Sequence, residues 1–259
     1  MEPLLETTGI TKHFGGIQAL NDITFKVRPG QIKAIIGPNG AGKTTLFNCI
    51  SGVLKADKGD IKLNGQSITG FPPHKRAQAG ISRTFQNVAI FPEMTVLENV
   101  LVGRHCRSRC EMLQAGFRTR SMRNEEREIV EKAWNFLEFV GLENQTEKRA
   151  GELPLGDQRL LEIARALATE PKIVLLDEPA GGLNTKETER LAELIHQIRD
   201  SGITVLLVEH DMNLVMDISD EILVINFGER LAEGNPKSIK SNPDVINAYL
   251  GEDIDYSDL

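Results

Sequence analysis

Short runs of aliphatic and β-branched residues recur along this chain, alternating with longer stretches that carry a helical pattern. Ile32–Ile36, Ile173–Leu176, Thr204–Val208 and Ile222–Ile225 are candidate strands, and their alternation with helices predicts a largely parallel sheet covered by helices. The opening differs. Leu4–Ile10, Ile23–Val27 and Ile61–Leu63 are punctuated by Pro29-Gly30 and Asn64-Gly65, turn signals for antiparallel strands. From about Val88 to Leu153 strand signals give way to charged helical sequence, notably Asn124–Val140 with Val130, Trp134, Leu137 and Phe139 as apolar positions. Strand sequence resumes at Ile173, so a helical lobe interrupts one sheet. The expectation is one α/β domain over 1–259. Segments 1–87 and 160–259 would form the core, with an N-terminal antiparallel β subdomain, and 88–159 an inserted helical subdomain.

Composition narrows the class. The chain has 259 residues, 40% apolar and 26% charged, which suits one large globular domain with a full core. A net charge of −7 speaks against a nucleic-acid partner, which would need a clustered basic excess. Cys49, Cys106 and Cys110 are too few for a disulfide framework, and Cys106 with Cys110 has no second ligand pair to complete a metal site. Met1–Thr8 carries Glu2 and Glu6 and lacks the basic start of an export signal. The apolar runs Ile203–Val208 and Ile222–Ile225 fall far short of the ~20 residues that cross a bilayer.

Chemistry enters at Gly37-Pro38-Asn39-Gly40-Ala41-Gly42-Lys43-Thr44, which fits G-x-x-x-x-G-K-[ST] between a strand ending at Ile36 and a helical run. Glycines let successive backbone N–H groups point at one anion, and the helix start adds its partial positive charge. Lys43 is placed for the β- and γ-phosphates and the Thr44 hydroxyl for Mg²⁺, with Thr45 beside it among the nucleotide contacts. Kinases, GTPases and motors share such a loop, so it says only nucleotide.

Two further strand ends add acids and an imidazole. Lys172–Leu176 runs into Asp177-Glu178, placing both acids at the carboxyl edge of the sheet, where ligands of open α/β folds bind. Asp177 is positioned to hold Mg²⁺, and Glu178 to orient or deprotonate the water attacking the γ-phosphate. A bland reading is a solvated strand end before a Pro179 turn. Thr204–Val208 ends in Glu209-His210-Asp211. His210 is either a surface histidine or a hydrogen-bond donor to the γ-phosphate or the attacking water.

In this order, and over essentially the whole chain, these pieces resemble the ABC-transporter ATPase family, whose core is a P-loop NTPase fold. The resemblance implies that Phe14, 23 residues before Gly37, stacks on adenine; that Gln86 in Ser82-Arg83-Thr84-Phe85-Gln86 reaches Mg²⁺; and that His210 is the switch histidine. Gly181-Gly182-Leu183-Asn184 falls on the dimer-contacting loop, with Asn184 where aspartate is usual. The family's Leu-Ser-Gly-Gly-Gln signature corresponds to Leu153-Pro154-Leu155-Gly156-Asp157, in which only Leu153 and Gly156 match. There it would cap ATP held by the opposite subunit, with Asp157 among the contacts, although Pro154 offers neither hydroxyl nor N–H.

Within the family the chain is similar to the G-type ATPase subunits of branched-chain amino-acid transporters. Arg83–Gln86 with Glu93–Asn99, the insert around Arg104–Glu128, and Asn242–Glu252 carry that likeness. It implies an importer powered by ATP and Mg²⁺, two integral-membrane permease subunits, a second ATPase subunit and an external binding protein. The chain would sit peripherally on the cytoplasmic face of the inner membrane. Urea or lipid cargo, or a non-transport ABC ATPase acting on nucleic acid or ribosomes, are the alternatives. Between Arg104 and Arg123 six arginines face one glutamate, read as a solvated helix face or a surface toward anionic lipid or the permeases. The acidic tail Glu252–Asp258 reads as frayed.

Overall fold

The computed structural model describes residues 2–104 and 120–250. Cys106, Cys110, the arginines from 107 to 118 and the acidic tail lie outside them. The chain divides into two compact units, Met1–Arg83 with Lys172–Leu259, and Thr84–Pro171.

The first unit holds two sheets. One is antiparallel, β2-β1-β4-β5, built from β1 (Leu5–Phe14), β2 (Ile17–Val27), β4 (Lys58–Leu63) and β5 (Gln66–Ser67). The other has the order β10-β9-β3-β8-β7-β6, from β3 (Ile32–Ile36), β6 (Ile81–Arg83), β7 (Ile173–Asp177), β8 (Thr204–Val208), β9 (Glu221–Asn226) and β10 (Glu229–Gly234). Pairing in this second sheet is parallel apart from β9 with β10.

The two turn signals part company here. Asn64 and Gly65 take positive φ of 49° and 75° and close the β4–β5 hairpin between Leu63 and Gln66, as a two-residue primed turn requires. Pro29-Gly30 instead carries the chain from β2 into β3 of the other sheet. A tight turn reverses the chain without fixing which strand it will pair with.

Every residue of β3, β7 and β8 is buried, because each strand is covered on both faces. Alternate residues of these strands (Ile35, Ile173, Leu175, Leu206, Val208) join Leu46, Phe47 and Ile50 of α1 (Lys43–Ser51) and the inner face of the antiparallel sheet in one core. The helix that follows the phosphate loop is therefore part of the core. Its C-terminus is tied down by buried Arg76 of α2 (Pro73–Ala79), whose guanidinium donates to the Cys49, Ile50, Thr69 and Phe71 carbonyls. Lys33, fully buried in β3, is satisfied by Glu221 at 2.9 Å, Glu233, and the Lys26 carbonyl at 2.8 Å. Removing one partner from so buried a set would cost about 3–5 kcal/mol.

The second unit packs α3 (Val96–Arg104), α4 (Arg120–Val140) and α5 (Leu155–Leu167) against one another. At Gly103 an added Cβ would stand 2.4 Å from the Arg165 carbonyl oxygen, so α3 and α5 meet backbone to backbone. The buried face of α4 runs through Ala133, Leu137 and Val140. Val130 and Trp134, expected among its apolar positions, are 38% and 41% exposed; Trp134 stands one residue off Ala133 on the neighbouring face, whereas Val130 keeps the spacing of Ala133 and Leu137 one turn nearer the start of the helix. Arg104 is also buried and bonds the Ala168 carbonyl at 3.1 Å and Glu170 at 2.8 Å. It tethers the C-terminal end of α5 and drops out of the expected arginine surface.

Candidate active site

Register alone assembles the first unit's chemistry. Ile35 of β3 pairs with Val208 of β8, and Val208 with Asp177 of β7. The loop after Ile36, the pair Asp177-Glu178 and the pair Glu209-His210 therefore leave the same edge of the sheet from three adjacent strands.

The Gly37–Gly42 loop is shaped by positive φ at Gly37 (153°), Gly40 (77°) and Gly42 (105°). Gly37 has no alternative, since a Cβ there would lie 2.0 Å from the Ile225 carbonyl oxygen. Gly228, in the β9–β10 turn, donates to the Ala41 carbonyl at 2.9 Å, which braces the loop from the side. α1 starts at Gly42 with no side-chain cap and no acid in its first turn, so its leading N–H groups and dipole suit an anion. Lys43, 8% exposed, folds back with its ammonium 2.5 Å from the Gly37 carbonyl and 3.0 Å from that of Pro38. That places its charge over the loop where phosphate oxygens would lie.

Asp177 is 1% exposed and accepts from Arg83 Nη2 at 2.6 Å. Arg83 also reaches Asn48 Oδ1 at 2.6 Å and Ser51 Oγ at 3.0 Å, joining β6, β7 and α1. No role was assigned to Arg83 from sequence; the one signal was an arginine ending the three-residue strand Ile81-Ser82-Arg83.

Glu178 stands at φ 48°, a left-handed conformation that costs on the order of 1–3 kcal/mol and collects at reactive centres. Its N–H donates to Val208 O at 2.9 Å. Oε1 lies 3.8 Å from His210 Nδ1, with the imidazole 65% exposed. Glu209, between strand and histidine, is buried and accepts from Ala180 N at 2.7 Å and from His210 N at 3.1 Å. Burial pushes its carboxyl above the ordinary range, partly offset by those N–H groups. Asp211 caps α7 (Met212–Ile218) through Asn213 N and Leu214 N.

Phe14 closes β1, 46% exposed, with the Lys12 ammonium 5.6 Å from its ring centroid. Asp57 pairs with Lys12 at 2.8 Å, and this hydrogen bond with that from His13 N pulls its carboxyl down to about 2. Asn184 completes a capping box with Glu187 at the start of α6 (Thr185–Asp200), a task asparagine performs as well as aspartate.

The second unit carries Gln86, Leu153, Gly156 and Asp157. The segment before Gln86 is anchored to α5: Phe85 N donates to buried Glu162 at 3.0 Å, and Arg159 to Phe85 O at 3.2 Å. Burial raises the Glu162 carboxyl as well. Pro154 is the N-cap of α5 (φ −55°, ψ 155°) and offers no side-chain cap. Its missing N–H thus falls outside the helix, whose first donors are Leu155, Gly156 and Asp157. Leu153 and Gly156 are buried, and the Asp157 carboxylate accepts from Gln145 at 2.9 Å.

A strand, a glycine loop closed by lysine, a helix start and two acids on a neighbouring strand define a P-loop nucleoside triphosphatase. Comparison with known proteins narrows this. The ABC transporter family model matches residues 20–181, and that of the branched-chain amino acid ATP-binding cassette transporters matches residues 229–255. The high-affinity branched-chain amino acid transport ATP-binding protein BraF of Pseudomonas aeruginosa is 51% identical over 251 residues, 96% of this chain and 98% of that one. An ATP-binding cassette of an ABC transporter, solved in its ADP conformation, is 38% identical with a TM-score of 0.86, covering 97% of this chain and 100% of that one. A dimeric cassette bound to ADP and phosphate is 26% identical, TM-score 0.75, covering 90% and 98%. The chain belongs to the ABC transporter ATP-binding family and is an ATP-binding transport ATPase. No helix among the described residues is long and apolar enough to cross a membrane.

Proposed function

We propose that this chain powers an importer of branched-chain amino acids, docked peripherally on the cytoplasmic face of two integral-membrane permease subunits. The observation that carries the ATPase reading is the common edge where Lys43, Glu178 and His210 converge from adjacent strands. The cargo reading is supported by the 229–255 match and by the relative's name. ATP would lie with its phosphates along the loop from Gly37 to Lys43, contacted by Thr44 and Thr45, and its adenine on Phe14. A second ATPase subunit would lend Leu153–Asp157 across the nucleotide, and an external binding protein would deliver the amino acid.

Among the described residues no group of three or more His, Cys, Asp or Glu gathers for a metal. The hard oxygens of Thr44, opening α1, and Asp177, ending β7 against which α1 packs, fit Mg²⁺, which keeps most of its shell on phosphate and water. Gln86 is the donor the family resemblance adds. When bound, the ion neutralises charge on the β- and γ-phosphates. Glu178 holds the attacking water and takes its proton, while His210, exposed and 3.8 Å away, donates to the γ-phosphate.

The test is Glu178→Gln in the full chain. ATP affinity should match the parent while turnover falls by about 10²–10⁴-fold, and closed dimers should accumulate with ATP. Parental turnover would remove the role given to Glu178. Reconstitution with its permease subunits should couple turnover to leucine, isoleucine or valine uptake; uptake of another cargo class alone would overturn the cargo reading.

A further inference from the structure

Glu209 has no place in the chemistry above, yet it is buried between β8 and His210. Its carboxylate is 1% exposed, and among the described residues its charged neighbour is His210, with no lysine or arginine. A buried carboxylate without a cation is costly unless hydrogen bonds replace its lost water. Here backbone N–H groups do so from two different segments: Ala180, two residues past Glu178, at 2.7 Å, and His210 at 3.1 Å, with Asp211 N also favouring the ionised form.

Glu178 must be held in its left-handed conformation by its surroundings. Its own N–H is fixed to Val208 O at 2.9 Å, and its carbonyl accepts from Gly181 N at 3.1 Å. The Ala180–Glu209 bond is a further tie, made by a side chain. It joins the turn that aims Glu178 to the residue that precedes His210. The carboxylate gives each donor its own oxygen, Oε1 to Ala180 N and Oε2 to His210 N; an amide in the same pose turns an NH₂ toward one of them.

We propose that Glu209 is a positioning residue for ATP hydrolysis, clamping the turn of Glu178 to the turn of His210 so that carboxylate and imidazole keep their spacing at the γ-phosphate. The inference rests on the reading that Glu178 and His210 act there. It extends that reading to a residue bonded to the backbone of both turns.

The test compares Glu209→Gln and Glu209→Ala with the parent in the full chain. The readouts are kcat and KM for MgATP, equilibrium binding of ATP, and thermal unfolding. A displacement of about 1 Å costs on the order of 10²-fold in rate, so kcat should fall about 10-fold in the glutamine variant and about 100-fold in the alanine variant. KM and ATP affinity should stay within about 2-fold. In a His210→Ala background the alanine change should lower kcat by clearly less than it does alone, since both act through one unit. Parental kcat in both variants, or loss of kcat matched by loss of ATP affinity, would overturn the proposal. Should the alanine variant not fold, the isosteric glutamine variant decides. Parental turnover in Glu178→Gln and His210→Ala would instead sink the underlying reading of the site, whereas impaired turnover there with unaffected Glu209 variants sinks only the clamp.

Discussion

Two helix starts, one in each unit, are built from opposite materials. α1 opens on left-handed Gly42, carries Lys43 and has no acid in its first turn. α5 opens on Pro154, in extended geometry, and carries Asp157 there. Both lack a side-chain cap, so both leave backbone donors for a ligand. The first adds a buried cation and a glycine loop and suffices as an anion site. The second offers N–H groups beside a carboxylate, which disfavours a phosphate unless another site has already bound it. The difference teaches which end holds nucleotide and which can only complete a site begun elsewhere.

Lys43→Ala should break the comparison hardest. Removing the cation from the loop should abolish detectable ATP binding and lower turnover by at least about 10²-fold, measured by equilibrium binding and phosphate release. The same loss of a cation at the other start is not available, because the first turn of α5 carries an acid instead.

Arg83→Met should come next. It removes a cation from the buried Asp177 carboxylate, and loss of one partner from a buried pair costs about 3–5 kcal/mol, read in chemical denaturation. A variant as stable as the parent would show that Asp177 does not depend on Arg83.

Pro154→Ser sharpens the contrast from the other side. A serine N-cap should accept from the first turn of α5 and stabilise the second unit by about 1 kcal/mol, with ATP affinity of the isolated chain unchanged. Increased ATP affinity in the isolated chain would mean that the signature helix reaches nucleotide bound to its own chain.

Asp57→Asn should have the smallest effect. The carboxyl is depressed to about 2 by Lys12 and His13, so its ion pair supports the fold above the ordinary value near 3.8 and that support disappears as pH falls toward 2. The variant should lose a little stability at neutral pH, and its acid limb should be flatter across that window in a pH series of thermal melts.

Much of the fold was legible because burial on both faces writes itself as continuous apolar runs: Ile32–Ile36 and Thr204–Val208 match their strands to the residue. β6 and β10 were not legible. The first is three residues long, and the second is a partly exposed edge reading Glu-Arg-Leu-Ala-Glu-Gly, in which pairing, not composition, makes the strand. The sheet-edge chemistry was visible for the same reason as the strands, since a carboxylate or imidazole directly after a buried run must emerge at its end. Arg83 and Glu209 escaped because they work by satisfying partners distant in sequence, and a lone arginine or glutamate carries no pattern that names its partner. Arg104 misled for a related reason: membership of an arginine-rich stretch says nothing of whether a side chain faces water or a helix end.

The account rests on a phosphate cradle that works within one chain. Purified full-length protein, titrated with ATP in the presence of Mg²⁺ at equilibrium, should bind saturably, and Lys43→Ala should abolish that binding while its thermal unfolding stays close to the parent's. A correctly folded parent that shows no affinity for ATP, or a Lys43→Ala variant that binds as the parent does, would contradict it.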